Sequence, residues 1–225
     1  MKILLLLASF LPGALAQEPA PEPERIVLVG DSHTVGHFGV NLDAALRKTG
    51  AAVTTRAVCA SAPRSWREGL THSCGWFFRD PEGQPDRELG TKPKKTPLIA
   101  PVLAAARPTL VIVALAANLT GAPTGYIESE TSPFAELAAA AGGRCVWVGP
   151  PRRRNETGQK ELYETLQRSV TAHCRLIDSR EFTRYPAAGG DGVHYWGSDG
   201  ERISKEWAAA VFSRLGLHSS PDALR

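Results

Sequence analysis

Along the chain, short runs of β-branched and aliphatic residues alternate with longer stretches in which apolar residues recur at helical spacing. The first pattern predicts buried strands and the second predicts amphipathic helices. Five strand candidates emerge, at residues 25–31, 52–58, 110–116, 145–148 and 175–177. Val35, Phe38, Leu42 and Leu46 mark one face of a helix over residues 34–48, which Gly50 ends. A short helix is expected over residues 98–106, stopped ahead of Pro108. Ser132 reads as the cap of a further helix, with Pro133 at its first position and Gly142-Gly143 closing it. Leu162, Leu166 and Val170 place another over residues 159–172. Ser198-Asp199-Gly200-Glu201 has the form of a capping box, opening a last helix whose buried stripe is Ile203, Trp207, Val211 and Leu215.

Strand-helix alternation of this kind implies an α/β protein: a five-stranded, mostly parallel sheet with helices on both faces. Residues 61–95 interrupt the pattern. This excursion holds Pro63, Pro81, Pro85 and Pro93, a basic cluster at Lys92, Lys94 and Lys95, and the aromatics Trp66, Trp76, Phe77 and Phe78. Loops of this length are functional or unstructured. The aromatics serve either loop packing or a sugar- or acyl-binding wall.

Composition narrows the setting. With 225 residues the chain suits one domain, and a net charge of +3 is too balanced to imply nucleic acid. Lys2, the apolar run 3–11 and Ala14-Leu15-Ala16 read as an export signal over residues 1–16, with the mature chain starting at Gln17. No cysteine sits at the cleavage point, so no lipid anchor is expected. Residues 17–24 are Pro/Glu-rich and read as a disordered lead-in. The expected location is therefore secreted or periplasmic. Export makes Cys59, Cys74, Cys145 and Cys174 disulfide candidates. Of the three possible pairings, position favours Cys59–Cys74, stapling the excursion to the second strand, and Cys145–Cys174, at the starts of the fourth and fifth strands. No cysteine or histidine spacing of a metal site accompanies them.

In an open parallel sheet, sites form beyond the carboxyl ends of the strands. Gly30-Asp31-Ser32 stands there after the first strand, Ala60 and Ser61 after the second, and Ala117-Asn118 after the third. Pro150-Pro151 and Arg152-Arg153-Arg154 follow the fourth strand, and Asp191-Gly192-Val193-His194 precedes the last helix. A serine becomes a nucleophile when a base takes its proton, and the base needs an orienting acceptor. His194 and Asp191, three residues apart, can be base and orienter for Ser32. The N–H groups of Ser32 and Ala60 and the Asn118 amide can serve a developing oxyanion. Asp31 reads as a helix cap and His33 as a polar turn residue. Asn118-Leu119-Thr120 and Asn155-Glu156-Thr157 also match the glycosylation sequon, the first at a position where a glycan would block the site.

Gly30-Asp31-Ser32, Asn118 and Asp191-x-x-His194, in this order across residues 25–215, resemble the GDSL/SGNH hydrolase family. The resemblance implies a three-layer α/β/α sandwich, flavodoxin-like, with strand order 2-1-3-4-5, and no metal or cofactor. It implies Ser32 as nucleophile, Asp191 and His194 as acid and base, and Ser32, Ala60 and Asn118 as the oxyanion hole. Two positions depart from the family pattern. Alanine stands at Ala60 and Ala116 where relatives carry glycine, and alanine does not easily take a positive φ. The implied activity is hydrolysis of small-acyl esters, including O-acetyl groups on cell-wall or other carbohydrate. Lipid esters or acyl transfer by the same residues are the alternatives, and a binding module without catalysis is a further class. Arg152, Arg153, Trp66 and Trp196 are the candidates for substrate contact. Neither a nucleic-acid partner nor a stable membrane anchor after signal cleavage is expected, and the oligomeric state is open.

Overall fold

The computed structural model describes residues 22–217. The expected export signal lies outside them. The chain runs β1 (Arg25–Gly30), α1 (Ser32–Val35), α2 (His37–Arg47), β2 (Ala52–Val58), α3 (Pro63–Glu68), β3 (Thr71–His72), β4 (Trp76–Arg79), β5 (Asp86–Glu88) and β6 (Lys94–Lys95). It continues through α4 (Ile99–Ala106), β7 (Leu110–Ala114), α5 (Thr124–Ala140), β8 (Arg144–Val148), α6 (Gln159–Val170), β9 (Arg175–Ile177) and α7 (Gly197–Arg214).

The central strands are apolar on both faces because both faces are covered. Ile26 and Leu28 of β1 pack with Phe38, Leu42 and Leu46 of α2 and with Trp207 and Val211 of α7. Val27 and Val29 point the other way, into Ile99, Leu103, Phe134, Leu162 and Leu166 of α4, α5 and α6. Each such buried side chain contributes about 1.5–3 kcal/mol relative to exposure. The result is three layers, α/β/α.

The sheet corrects the five-stranded expectation. It has seven strands in the order β5-β4-β2-β1-β7-β8-β9. The five parallel strands occupy one side, and β4 and β5 extend them antiparallel beyond β2. Both added strands come from the excursion, whose β3 and β6 form a separate two-stranded ribbon. In that Pro-rich, charged stretch these strands show no alternation with helices that would set them apart in the sequence.

Buried charge ties the excursion down. Arg79 of β4 and Arg47 of α2 both donate to Asp43, at 2.9 and 3.0 Å, and Thr55 Oγ1 donates to the same carboxylate at 2.6 Å. Glu130 of α5 accepts from the Arg64 N–H at 2.7 Å, serving the first turn of α3. Cys59 and Cys74 are bonded, as are Cys145 and Cys174, with Cα separations of 5.5 and 4.6 Å.

Three helix boundaries differ from expectation. The first helix is two, α1 and α2, separated at Gly36, and it starts at Ser32. Ser132 and Pro133 do not open a helix but lie inside α5. The buried stripe Ile127, Thr131, Phe134, Ala138 runs past Pro133, which faces solvent, so packing carries the helix across the lost hydrogen bond. The Ser198 capping box does not form: the cap lies two residues earlier, at Trp196, with no side-chain cap bond, and α7 starts at Gly197.

Candidate active site

Register brings the site together. Gly30 at the end of β1 pairs with Ala57 of β2 and Ala114 of β7, so the three carboxyl ends are flush. A Cβ on Gly30 would stand 2.0 Å from Thr34 Oγ1, so only glycine lets α1 fold back over the strand. Asp31 caps α1 by accepting from the His33 N–H at 3.0 Å, and its own N–H donates to the Ala114 carbonyl at 3.2 Å. That places Ser32 at the first position of α1.

Ser32 Oγ donates to His194 Nε2 at 3.0 Å, and His194 Nδ1 donates to Asp191 Oδ2 at 2.6 Å. The other carboxylate oxygen of Asp191 accepts from the N–H groups of Val193 and His194, at 2.8 and 2.7 Å. Burial pushes the Asp191 carboxyl up. The His194 ring, those two N–H donors and the His194 charge outweigh it, holding the group down at about 2. Asp191 is thus an acceptor at any ordinary pH, which fixes the Nδ1 proton and leaves Nε2 to accept.

Ser61 joins the second and third loops to the first. Its Oγ donates to the Val58 carbonyl at 2.7 Å and lies 3.4 Å from the Gly30 carbonyl. Its carbonyl accepts from Asn118 Nδ2 at 2.9 Å, which leaves the second N–H of that amide to point elsewhere. Ala60 and Ala116 take positive φ, 60° and 90°. The sequence reading set alanine against this conformation, and the structure adopts it at both positions. Among the described residues the Ala60 N–H has no acceptor.

Not every predicted contact residue reaches the site. Trp66 is fully buried and donates to Ser61 Oγ at 3.0 Å, so it is core and not a substrate wall. The Arg152 guanidinium is engaged by Glu156, at 2.8 Å to both oxygens, and by the Arg180 carbonyl. Arg153 donates to the Ala117 carbonyl; burial lowers its pKa, while the charges of Asp31 and Asp191 raise it. Trp196 is exposed at the mouth, its ring 6.3 Å from that of His194 and edge-on to His37 at 5.8 Å.

His33 is also not the polar turn residue expected. It is buried against His194, Tyr195 and Trp207, and its Nε2 is unpartnered. Burial, then the charges of His194 and Arg153, depress its pKa to about 3. Burial likewise raises the Asp31 carboxyl to about 6, against the N–H groups of His33 and Ala117. Tyr185, which holds the loop before α7, carries no motif that would have drawn attention to it, whereas Ser61 and Arg154 stood at the strand ends the sequence marked but with no role legible there.

The cavity beside Ser32 is small, about 10 Å³, and bounded by Gly36, His37, Phe38, His194 and Trp196. A larger one of about 480 Å³ opens at the opposite end of the sheet, between Arg107 and Leu137. It lacks the convergent acid, base and hydroxyl groups that chemistry needs.

No protein-family model and no curated protein matches the sequence. Solved structures do match. TesA superposes with a TM-score of 0.59 at 15% identity, over 85% of this chain and 97% of its own. The inhibitor-bound aryl esterase of M. smegmatis gives 0.52 at 17%, over 84% and 99%. A GDSL-like lipase from Bacteroides thetaiotaomicron gives 0.52 at 13%, over 89% and 93%. The architecture thus shares the fold of solved GDSL/SGNH hydrolases.

Proposed function

We propose that the chain is an exported serine esterase that removes small acyl groups, acetate foremost, from hydroxyls of carbohydrate. The observation that carries the reading is the unbroken hydrogen-bond chain from Ser32 Oγ through His194 to Asp191. In the first step Ser32 Oγ bonds to the ester carbonyl carbon as its proton passes to His194 Nε2. The N–H groups of Ser32 and Ala60 and the free N–H of Asn118 receive the oxyanion. The alcohol leaves with the proton from His194. Water then attacks the acyl-serine, giving its proton to His194, and the acid departs as Ser32 recovers its hydrogen.

A small acyl portion is what the resemblance to the GDSL/SGNH hydrolases implies; the cavity of about 10 Å³ beside Ser32 is lined by neither Ala60 nor Asn118 and leaves the acyl size to the substrate test. The exposed indole of Trp196 at the mouth supports a sugar as the alcohol portion, since a flat aromatic face stacks on a pyranose ring. Two disulfides, and the absence among the described residues of any helix long and apolar enough to cross a membrane, are compatible with export.

The test is hydrolysis of aryl acetate, butyrate and octanoate by the mature protein beside Ser32→Ala. The expected result is a rate for acetate that exceeds octanoate and falls by about 10⁶ in Ser32→Ala. Equal rates for the two proteins would remove the esterase reading. A preference for octanoate would redirect it to lipid esters, and acid release from O-acetylated polysaccharide tests the sugar portion directly.

A further inference from the structure

We infer that Tyr185 is a positioning residue for the acid–base pair: its hydroxyl anchors the loop 189–194 and so keeps Asp191 and His194 aligned on Ser32. The inference rests on the proposed roles of those three residues.

The loop needs an external hold. Gly189, Gly190 and Gly192 all have positive φ, at 74°, 64° and 85°, and glycine loses more conformational freedom on ordering than any other residue. Gly189, Gly190 and Asp191 are exposed, and only Gly192 is buried, so apolar burial does little to fix the loop. One hydroxyl makes several of the contacts that order it. Tyr185 Oη accepts from the Gly192 N–H at 3.1 Å and donates to the His194 carbonyl at 3.0 Å. Asp191 Oδ1 lies 3.5 Å away. One atom therefore touches three of the four residues from Asp191 to His194. A Cβ on Gly190 would stand 2.4 Å from the same oxygen, so the chain passes too close to it for any other residue.

Tyr185 is itself supported from two directions. Its ring lies 5.0 Å from that of Tyr195, which leads to Trp207 at 6.4 Å and so to Phe38 in the core. On the solvent side the Arg154 guanidinium sits 5.1 Å from the ring centre. Arg154 holds the far side of the loop, its N–H donating to the Gly192 carbonyl at 2.9 Å and its guanidinium to the carbonyls of Gly189 and Pro186. Gly192 is thus fixed through both its peptide groups by residues outside the loop. Small misplacements of a general base cost rate without changing substrate affinity, because the base engages only as the proton moves.

Tyr185→Phe removes the hydroxyl and keeps the ring. The expected result is a fall in kcat of about tenfold with KM within about twofold. Amide hydrogen exchange at Gly192 should accelerate by a similar factor, about tenfold, while amides of β1 and β7 are unchanged. Gly190→Ala is the second variant. It should depress kcat in the wild-type background and do so less beside Tyr185→Phe, where the clashing oxygen is gone. Unchanged kcat in Tyr185→Phe, unchanged Gly192 exchange, or additive effects in the double variant would each overturn the inference. A wild-type protein inert toward every ester removes the triad reading instead; exchange at Gly192 still responds to Tyr185→Phe in that case, which separates the two failures.

Discussion

The two halves of the proposed site, its oxyanion side and its acid–base side, are built by different means. The oxyanion side sits on strand ends: Ser32, Ala60 and Asn118 are within a few residues of β1, β2 and β7 and are joined by the buried Ser61. The acid–base side is a partly exposed, glycine-rich loop leading into α7, held by Tyr185 and Arg154. Donors that must meet a charge at a fixed point gain most from a rigid frame. A base that accepts a proton and returns it to a departing alcohol tolerates a more adjustable mount. Rigidity here has a local cost, since the frame keeps two alanines in left-handed backbone at roughly 1–2 kcal/mol each.

The sharpest way to break this contrast is to remove one group from each half. Asp191→Asn should lower kcat by about 10⁴, because the amide no longer fixes the Nδ1 proton of His194. Asn118→Ala should lower kcat by about 10²–10³, the loss of one oxyanion donor among three. Steady-state kinetics on aryl acetate measures both; a larger loss for Asn118→Ala would reverse the assignment of the two halves.

Acid titration separates the halves by a second route. Folded His33 ionises near 3, whereas an unfolded histidine ionises near 6.5, so the unfolded chain binds the extra proton between those values and stability falls as pH drops through them. Asp191 acts in the same direction from about pH 4 down to about 2. Asp31 opposes them: folded, it takes up its proton near 6, ahead of the unfolded chain near 4, so it stabilises as pH falls across that window. His33→Gln removes the largest of these acid penalties. The acid unfolding midpoint, followed by circular dichroism, should move down by about half a pH unit or more. A midpoint that stays in place would show that His33 is reached by solvent.

The smallest effect tests the frame itself. Ala60→Gly and Ala116→Gly should each raise stability by up to about 1 kcal/mol in urea unfolding, the relief of left-handed strain less the entropy of glycine in the unfolded chain. Ala116, at φ 90°, should gain more than Ala60. Loss of stability in both would mean that their methyl groups pack favourably enough to offset the strain.

What could be read in the sequence was local. The Gly-Asp-Ser turn, the Asp-x-x-His spacing and the strand-helix alternation are each contained in a short window, and their chemistry follows from residue type. The supports were not legible, because they act across distance. Ser61 meets Asn118 over 57 positions and Glu130 meets Arg64 over 66, with nothing in the intervening pattern to announce either. Trp66 stayed open between packing and a substrate wall for the same reason: its burial becomes visible only when β4 and Cys59–Cys74 fold that stretch onto the sheet. Pro133 misled because a local rule met a stronger tertiary stripe.

The antiparallel extension has a consequence for how the molecule behaves at high concentration. Without β4 and β5, the seven-residue ladder of β2 would be an open edge bearing valines and threonines. The extension moves that edge outward to three residues, Asp86-Arg87-Glu88, all of them charged. The opposite edge, β9, is also three residues long. Short or charged edges are poor templates for strand addition by another chain. The same segment that Cys59–Cys74 ties to the end of β2 therefore also guards the sheet against edge-to-edge aggregation.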